Sequence, residues 1–273
     1  MFKKKGKQKN GFTMIELMIA IVLTLIISSS IYVFIRITSN GYENTRERNV
    51  LVDAAYNSIN QMKNDIEMSL PNSIRITTNG NQTFLEMMEV SGGGQYRTQL
   101  TNTGTGDILD FTKADTSFDI LSFPQQFNGS EYISIGSYGM PGLNPYNGDT
   151  ISSYTGSIGV QSNIKIASKL FPIDVPQHKF YIVNNVISYV CDTNNHTLTK
   201  YWGYAPNSTQ PNNTSSGVLS TASHGLVAKY IQSCQFLYQE GTNTRNAIVD
   251  IFLTLQNNNN IISLYGDSYV PND

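Results

Sequence analysis

The stretch FTMIELMIAIVLTLIISSSIYVFIRI, residues 12–37, decides how the rest of the chain is read. Its first 24 residues, 12–35, hold a single charged side chain, Glu16. As a helix rising 1.5 Å per residue, such a run is about 36 Å long, enough to cross a hydrocarbon layer ~30 Å thick. A secretory signal peptide has a shorter apolar run, with a small-residue cleavage site after it. Here the basic stretch ends before the run, at Asn10-Gly11. A plain signal anchor fits the length but leaves Glu16 unaccounted for. A lone carboxylate in a membrane span costs several kcal/mol unless it is partnered, so it marks function by default.

Charge is distributed unevenly around this run. The chain of 273 residues has a net charge of −2, and Lys3, Lys4, Lys5, Lys7 and Lys9 put +5 ahead of Phe12, which leaves −7 for the remainder. A cationic stretch beside an apolar one holds the amino terminus on the cytoplasmic side. The acidic remainder argues against nucleic acid as a direct partner, because phosphates need a basic surface; a local basic patch is the alternative. Beyond one membrane-length segment roughly 200 residues remain, enough for one domain with its own core or for two small lobes. Charged residues make up only 14%. Asn, Ser, Thr, Gly and Tyr are abundant instead, a balance typical of β-rich extracytoplasmic proteins. The two cysteines, Cys191 and Cys234, agree with export. An even pair in an exported domain reads as a structural disulfide, with two buried free thiols as the alternative.

The helix is expected to continue past Arg36. Leu51, Ala55, Ile59, Met62, Ile66 and Leu70 recur at spacings of four and three and draw one apolar stripe. Polar residues, among them Asp53, Asn57, Lys63, Asp65 and Glu67, fill the other faces, Gly41 offers a place to kink, and Pro71 ends the run. Beyond Pro71 the texture changes to short β-rich pieces: 73–77, 83–90, 108–112, 118–122, 132–138, 164–167, 178–183, 186–191, 197–204, 233–238, 248–255 and 261–265. Asn79-Gly80, Ser91-Gly92-Gly93-Gly94 and Asn184-Asn185 read as turns between them, and 257–260 as the loop of a final hairpin. Stretches 136–154 and 205–223, rich in Gly, Pro, Asn and Ser, read as long exposed loops. A helix stripe followed by antiparallel strands gives an α+β fold: a long amino-terminal helix packed on a β-sheet-rich head.

No catalytic constellation emerges, so the chain is not expected to be an enzyme. His178, His196 and His224 stand in unrelated contexts, and neither HExxH nor CxxC occurs, so no metal or other cofactor is expected. Gly92-Gly93-Gly94 lacks the following Gly-Lys-Ser/Thr of a phosphate cradle, and no G-x-S-x-G joins strand to helix. Asp107, Asp110, Asp115 and Asp119 are close together without the alternation of a calcium loop. Tyr201-Trp202-Gly203-Tyr204 is either a carbohydrate or partner surface or a strand packed on the core.

The residues Gly11-Phe12-Thr13-Met14-Ile15-Glu16 resemble the signal of the type IV pilin superfamily, G-F-T-[LM]-I-E. The resemblance implies that a prepilin peptidase cuts after Gly11 and methylates the new amine of Phe12. It also implies that Glu16, fifth in the mature chain, partners the amine of Phe12, its own or a neighbour's, and sets axial register. Opposite charges attract far more strongly in a low-dielectric medium than in water. A weaker resemblance, carried by the segment 53–73, Asp110-Phe111, Phe118-Asp119, 178–191 and 234–238, is to the large minor pilins: the MshO-like proteins of mannose-sensitive haemagglutinin (MSHA) pili and the PilW and GspJ types. It implies that Cys191 and Cys234 form the head's disulfide.

On this reading 1–11 is a leader, 12–36 the transmembrane and filament-core helix, 37–71 its amphipathic continuation and 72–273 the head. The expected partners are the prepilin peptidase, other major and minor pilins, the inner-membrane assembly platform and, before assembly, the membrane itself. The expected location is the inner membrane of a Gram-negative bacterium with a periplasmic head, then the cell-surface pilus. A pseudopilin of a type II secretion system, or a tip adhesin contacting a surface or sugar through loops 136–154 and 205–223, are the alternatives.

Overall fold

The computed structural model describes residues 11–241 and 246–270. One helix, α1 (Met14–Glu67), leads into a β-rich region, an α+β architecture. The chain divides into two compact units, one ending at Val50 and one running on from Leu51. In the first unit α1 passes through Gly41 without a break. Its apolar side chains, such as Ile15, Leu25 and Phe34, are exposed all round, and it is long and apolar enough to cross a membrane.

The second unit begins where the stripe begins. Leu51, Ala55, Ile59, Met62, Ile66 and Leu70 are all buried, at 6% exposure or less, as the four-and-three spacing requires. Strands follow, in chain order β1 (Arg75–Asn79), β2 (Gln82–Gln95), β3 (Asp115–Asp119), β4 (Gln125–Phe127), β5 (Tyr132–Ser134), β6 (Ile151–Ser153) and β7 (Gly159–Gln161). They continue as β8 (Asn163–Lys169), β9 (Lys179–Asp192), β10 (Thr197–Tyr204), β11 (Ser223–Lys229), β12 (Ile231–Gln239), β13 (Ala247–Asn257) and β14 (Asn260–Val270). Every pairing is antiparallel. The main sheet runs β1-β2-β9-β10-β11, with β5 beside β9 and β6 beside β5; a second sheet is β12-β13-β14.

Side chains of both sheets meet the α1 stripe in one core, with Leu85, Met87, Ile187 and Tyr189 from the main sheet and Val249, Ile251, Leu253 and Leu255 from β13. The two sheets are joined at a corner. A single residue, Tyr230, separates β11 from β12 and takes φ of 65°, a conformation sparsely populated for a side chain of its size. Cys191 of β9 and Cys234 of β12 form a disulfide across the same junction, with Cα atoms 6.3 Å apart. A second core, built on Tyr96, Phe118, Phe127, Ile133, Phe171 and Phe180, lies under the small pairs β3-β8 and β4-β7.

Several sequence expectations change here. Gly92, Gly93 and Gly94 are not a turn; they lie inside β2, opposite Ile182, Tyr181 and Phe180. A Cβ on Gly93 would come within 2.6 Å of the Phe180 carbonyl oxygen, so glycine serves close strand approach rather than chain reversal. Asn184-Asn185 is not a turn either, because β9 runs through it: Asn185 pairs with Glu89 and Val183 with Val90, leaving Asn184 as the extra residue of a bulge. Residues 108–112 form no strand. Stretch 136–154 contains β6 and a short 3₁₀ turn (Pro145–Asn147) that buries Tyr146. Stretch 205–223 is tied to the β1 side of the sheet: Arg75 donates to the carbonyls of Asn207 (2.6 Å) and Ser208 (3.0 Å), and Asn79 to that of Asn212 (2.9 Å). Covering that edge blocks pairing with other chains. Asp65, expected on a solvated face, is buried at 7% exposure, held by Lys200 at 2.6 Å and the Tyr189 hydroxyl at 2.5 Å.

Candidate processing and assembly segment

Gly11 and Phe12 precede the helix without regular structure. A Cβ on Gly11 would meet no atom within 4 Å, and Phe12 is 81% exposed, so this peptide bond is open to a protease. The helix then starts on a reciprocal cap. The Thr13 hydroxyl accepts from the Glu16 amide at 3.3 Å, and Glu16 Oε2 accepts from the Thr13 amide at 3.4 Å. Two amides with no intrahelical acceptor are thereby engaged. The sequence signal for this cap is Thr-x-x-Glu before an apolar run, which a reading of Glu16 as a lone acid overlooks. The carboxylate is therefore held at the residue next to Phe12, at the positive end of the helix dipole.

Downstream, three hydroxyls in the apolar stretch are turned onto the helix itself. Thr24 and Ser29 donate to carbonyls three residues back, both at 2.8 Å, and Ser30 to one four residues back at 2.9 Å. Such bonds let a polar side chain enter an apolar medium without an unsatisfied group. From residue 12 to Ile35 the surface offered to a partner is almost entirely aliphatic and aromatic, with one anchored acid at its start.

Other candidate groups do not converge. His178 lies 3.0 Å from Asp174, His196 turns to the Ile231 carbonyl and His224 stacks on Tyr201. The four aspartates of 107–119 are occupied locally: Asp107 accepts from Ser117 and Asn163, Asp110 from Thr112, Asp115 from the Asp110 amide, and Asp119 from Asn163 and the Asp107 amide. Burial pushes the Asp119 carboxyl up, but the Asp107 amide, Asn163 and Arg97 outweigh it and hold it below its ordinary value. Among the described residues no group of three His, Cys, Asp or Glu side chains could hold a metal ion. The three aromatic residues of 201–204 divide too. Tyr201 faces His224, Tyr204 donates to Glu86 at 3.0 Å, and Trp202 packs beside the main core.

Comparison with known proteins bears on the amino-terminal segment. A family model described as the prokaryotic N-terminal methylation motif matches residues 6–32. No curated protein and no solved structure matches the chain. The chain thus carries the prokaryotic N-terminal methylation motif on a membrane-length apolar helix, which supports a type IV pilin-like family and anchoring in a bacterial membrane.

Proposed function

We propose that this chain is made as a prepilin, cut between Gly11 and Phe12 by a prepilin peptidase, methylated on Phe12 and assembled as a minor pilin of MSHA type. Its role is structural: residues 12–36 pack on the helices of other pilins, and 72–273 form a head that docks with neighbouring minor subunits. The single observation that carries this reading is Glu16, anchored by Thr13 at the start of an otherwise uncharged apolar helix. Cleavage after Gly11 creates an ammonium on Phe12, within reach of that carboxylate. Away from water such a pair is strong, so an amine and an acid on two subunits fix how far one slides along the other. Processing and register are then one piece of electrostatics.

Two variants test the reading. Gly11→Ala is expected to leave the leader attached, seen as an unprocessed mass. Glu16→Ala is expected to be cut and methylated at Phe12 but to stay in the membrane fraction instead of entering filaments. Normal subunit mass and normal filament content in both would refute the proposal.

A further inference from the structure

The main sheet carries an open cleft of about 370 Å³ beside the last turns of α1. Its lining comes from four strands and the helix: Glu89 of β2, Asn185 of β9, Lys200 and Trp202 of β10, Gly225 of β11 and Gln61 of α1. All belong to the unit that begins at Leu51, so the cleft is independent of how the amino terminus is processed. The lining strands carry four irregularities of register: two on β2, between Glu89 and Val90 and between Val90 and Gly92, one between Trp202 and Tyr204 against β9, and one between Leu198 and Thr199 against β11. Bulges of this kind re-aim side chains and gather next to binding sites.

The walls differ in chemistry. On one side lies the indole of Trp202, half-buried against the core, with its six-membered ring next to Gly225, where an added Cβ would come within 3.5 Å. The polar groups are held in place by one another. Asn185 donates to Glu89 at 3.1 Å, and Lys200 and the Tyr189 hydroxyl both donate to Asp65. Burial and the neighbouring Asp65 push the Tyr189 hydroxyl far above its ordinary range, so it stays a donor. A flat apolar platform with fixed amide, carboxylate and ammonium groups fits a ring that is apolar on its face and hydroxylated at its edge. Asp65, buried and outside the lining, neutralises the Lys200 ammonium, so Glu89 is left as the uncompensated charge of the wall, which disfavours an anionic ligand. The volume is near the lower end of the roughly 300–1,000 Å³ usual for small-molecule sites, so it suits one ring rather than a long chain.

We propose that this cleft binds a neutral pyranose sugar, stacked on Trp202 and hydrogen-bonded by Asn185, Glu89, Lys200 and Gln61. The molecule supplies its own reporter, because Trp202 is the only tryptophan in the chain. The experiment titrates the full chain in detergent with neutral hexoses, N-acetylhexosamines and a hexuronate, reading Trp202 emission and, independently, heat of binding. A saturable change with at least one neutral sugar and none with the hexuronate is expected. Asn185→Ala is expected to weaken binding about ten-fold, equivalent to 1.4 kcal/mol. Gly225→Val, whose Cβ stays at ordinary contact distance but whose methyl groups enter the cleft, is expected to abolish it. Circular dichroism checks that both variants fold, and Glu89→Gln stands in for either that does not, with the same loss expected. No response to any neutral sugar, an equal response to the hexuronate, or unchanged affinity in the folded variants would overturn the proposal. So would a Trp202 response to another pilin alone, which would make the cleft a protein-docking groove.

Discussion

Removing Arg75 is expected to be among the most damaging single changes in the head. Its guanidinium pairs with Glu86 and lies 3.5 Å above the ring of Tyr146. It also holds the carbonyls of Asn207 and Ser208. Glu86 is fully buried, at 0% exposure, with the Tyr204 hydroxyl donating to it at 3.0 Å. Arg75→Ala leaves that carboxylate without its counter-charge. Breaking a buried pair from one side costs about 3–5 kcal/mol, a large share of the 5–15 kcal/mol or so that stabilises a typical domain. At about 2–4 °C per kcal/mol for a unit of this size, the melting temperature should fall by roughly 6–20 °C. Burial already pushes the Glu86 carboxyl above its ordinary value of 4.5, with Arg75 pulling the other way. Without Arg75 the folded value rises further. A raised folded value means the stability linked to the protonated carboxyl is fully present below 4.5 and is lost as pH rises through the folded value. The deficit of Arg75→Ala should therefore be deepest at neutral pH and shrink toward pH 4.5. Thermal melts of the full chain in detergent, followed by Trp202 emission from pH 4 to 8, measure both. The paired change Arg75→Met with Glu86→Leu should recover most of the loss. A loss under about 1 kcal/mol with no dependence on pH would show that Glu86 does not need the Arg75 counter-charge.

Three further outcomes are expected. Cys191→Ser or Cys234→Ser opens a link spanning 43 residues and should lower stability by about 4 kcal/mol on the chain-entropy estimate, read from urea unfolding with and without reductant. Gly93→Ala places a Cβ 2.6 Å from the Phe180 carbonyl oxygen and should cost about 1–3 kcal/mol by overpacking, whereas Gly41→Ala, with nothing within 4 Å, should leave the melt unchanged or raise it. Burial pushes the Asp192 carboxyl up, but donors from Asn195, Gln82 and Asn194 outweigh it and hold it below 3.8. Its contribution is present above 3.8 and is lost as pH falls through the folded value, so Asp192→Asn should show a shallower acid transition than the wild type.

The helix and its buried stripe are legible in the sequence because one helix face obeys a local period: Leu51 to Leu70 can be read without knowing what they touch. The segment from Gly11 to Glu16 is legible because it is contiguous in sequence and falls within the matched motif, although its Thr13–Glu16 cap is easily overlooked beside the lone charge. Elements decided by distant partners are not. Gly92–Gly94 looks like a turn until Phe180 is seen pressing on it, and Asn184 looks like a turn until β2 pairs on either side of it. β11 leaves no signal because only Ala228 of its seven residues is buried, so an edge strand shows no alternation. Asp65 reads as a solvated acid, since its cation lies 135 residues away. The Trp202 cleft is the extreme case, with residues 61, 89, 185, 200 and 225 gathered by topology alone.

The corner at Tyr230 and the bond between Cys191 and Cys234 have a mechanical meaning when taken together. Tyr230 is the covalent joint between two sheets that also share the α1 stripe in one core. The disulfide adds a second fixing four residues along β12, about 13 Å away at strand spacing. Two separated covalent fixings restrict rotation of one sheet against the other more than one does, so the oxidised bond stiffens the junction over the α1 stripe that both sheets touch. Reduction should loosen the junction, visible as faster amide exchange in β12 and along Leu51–Ile66 while the strands of the main sheet stay protected.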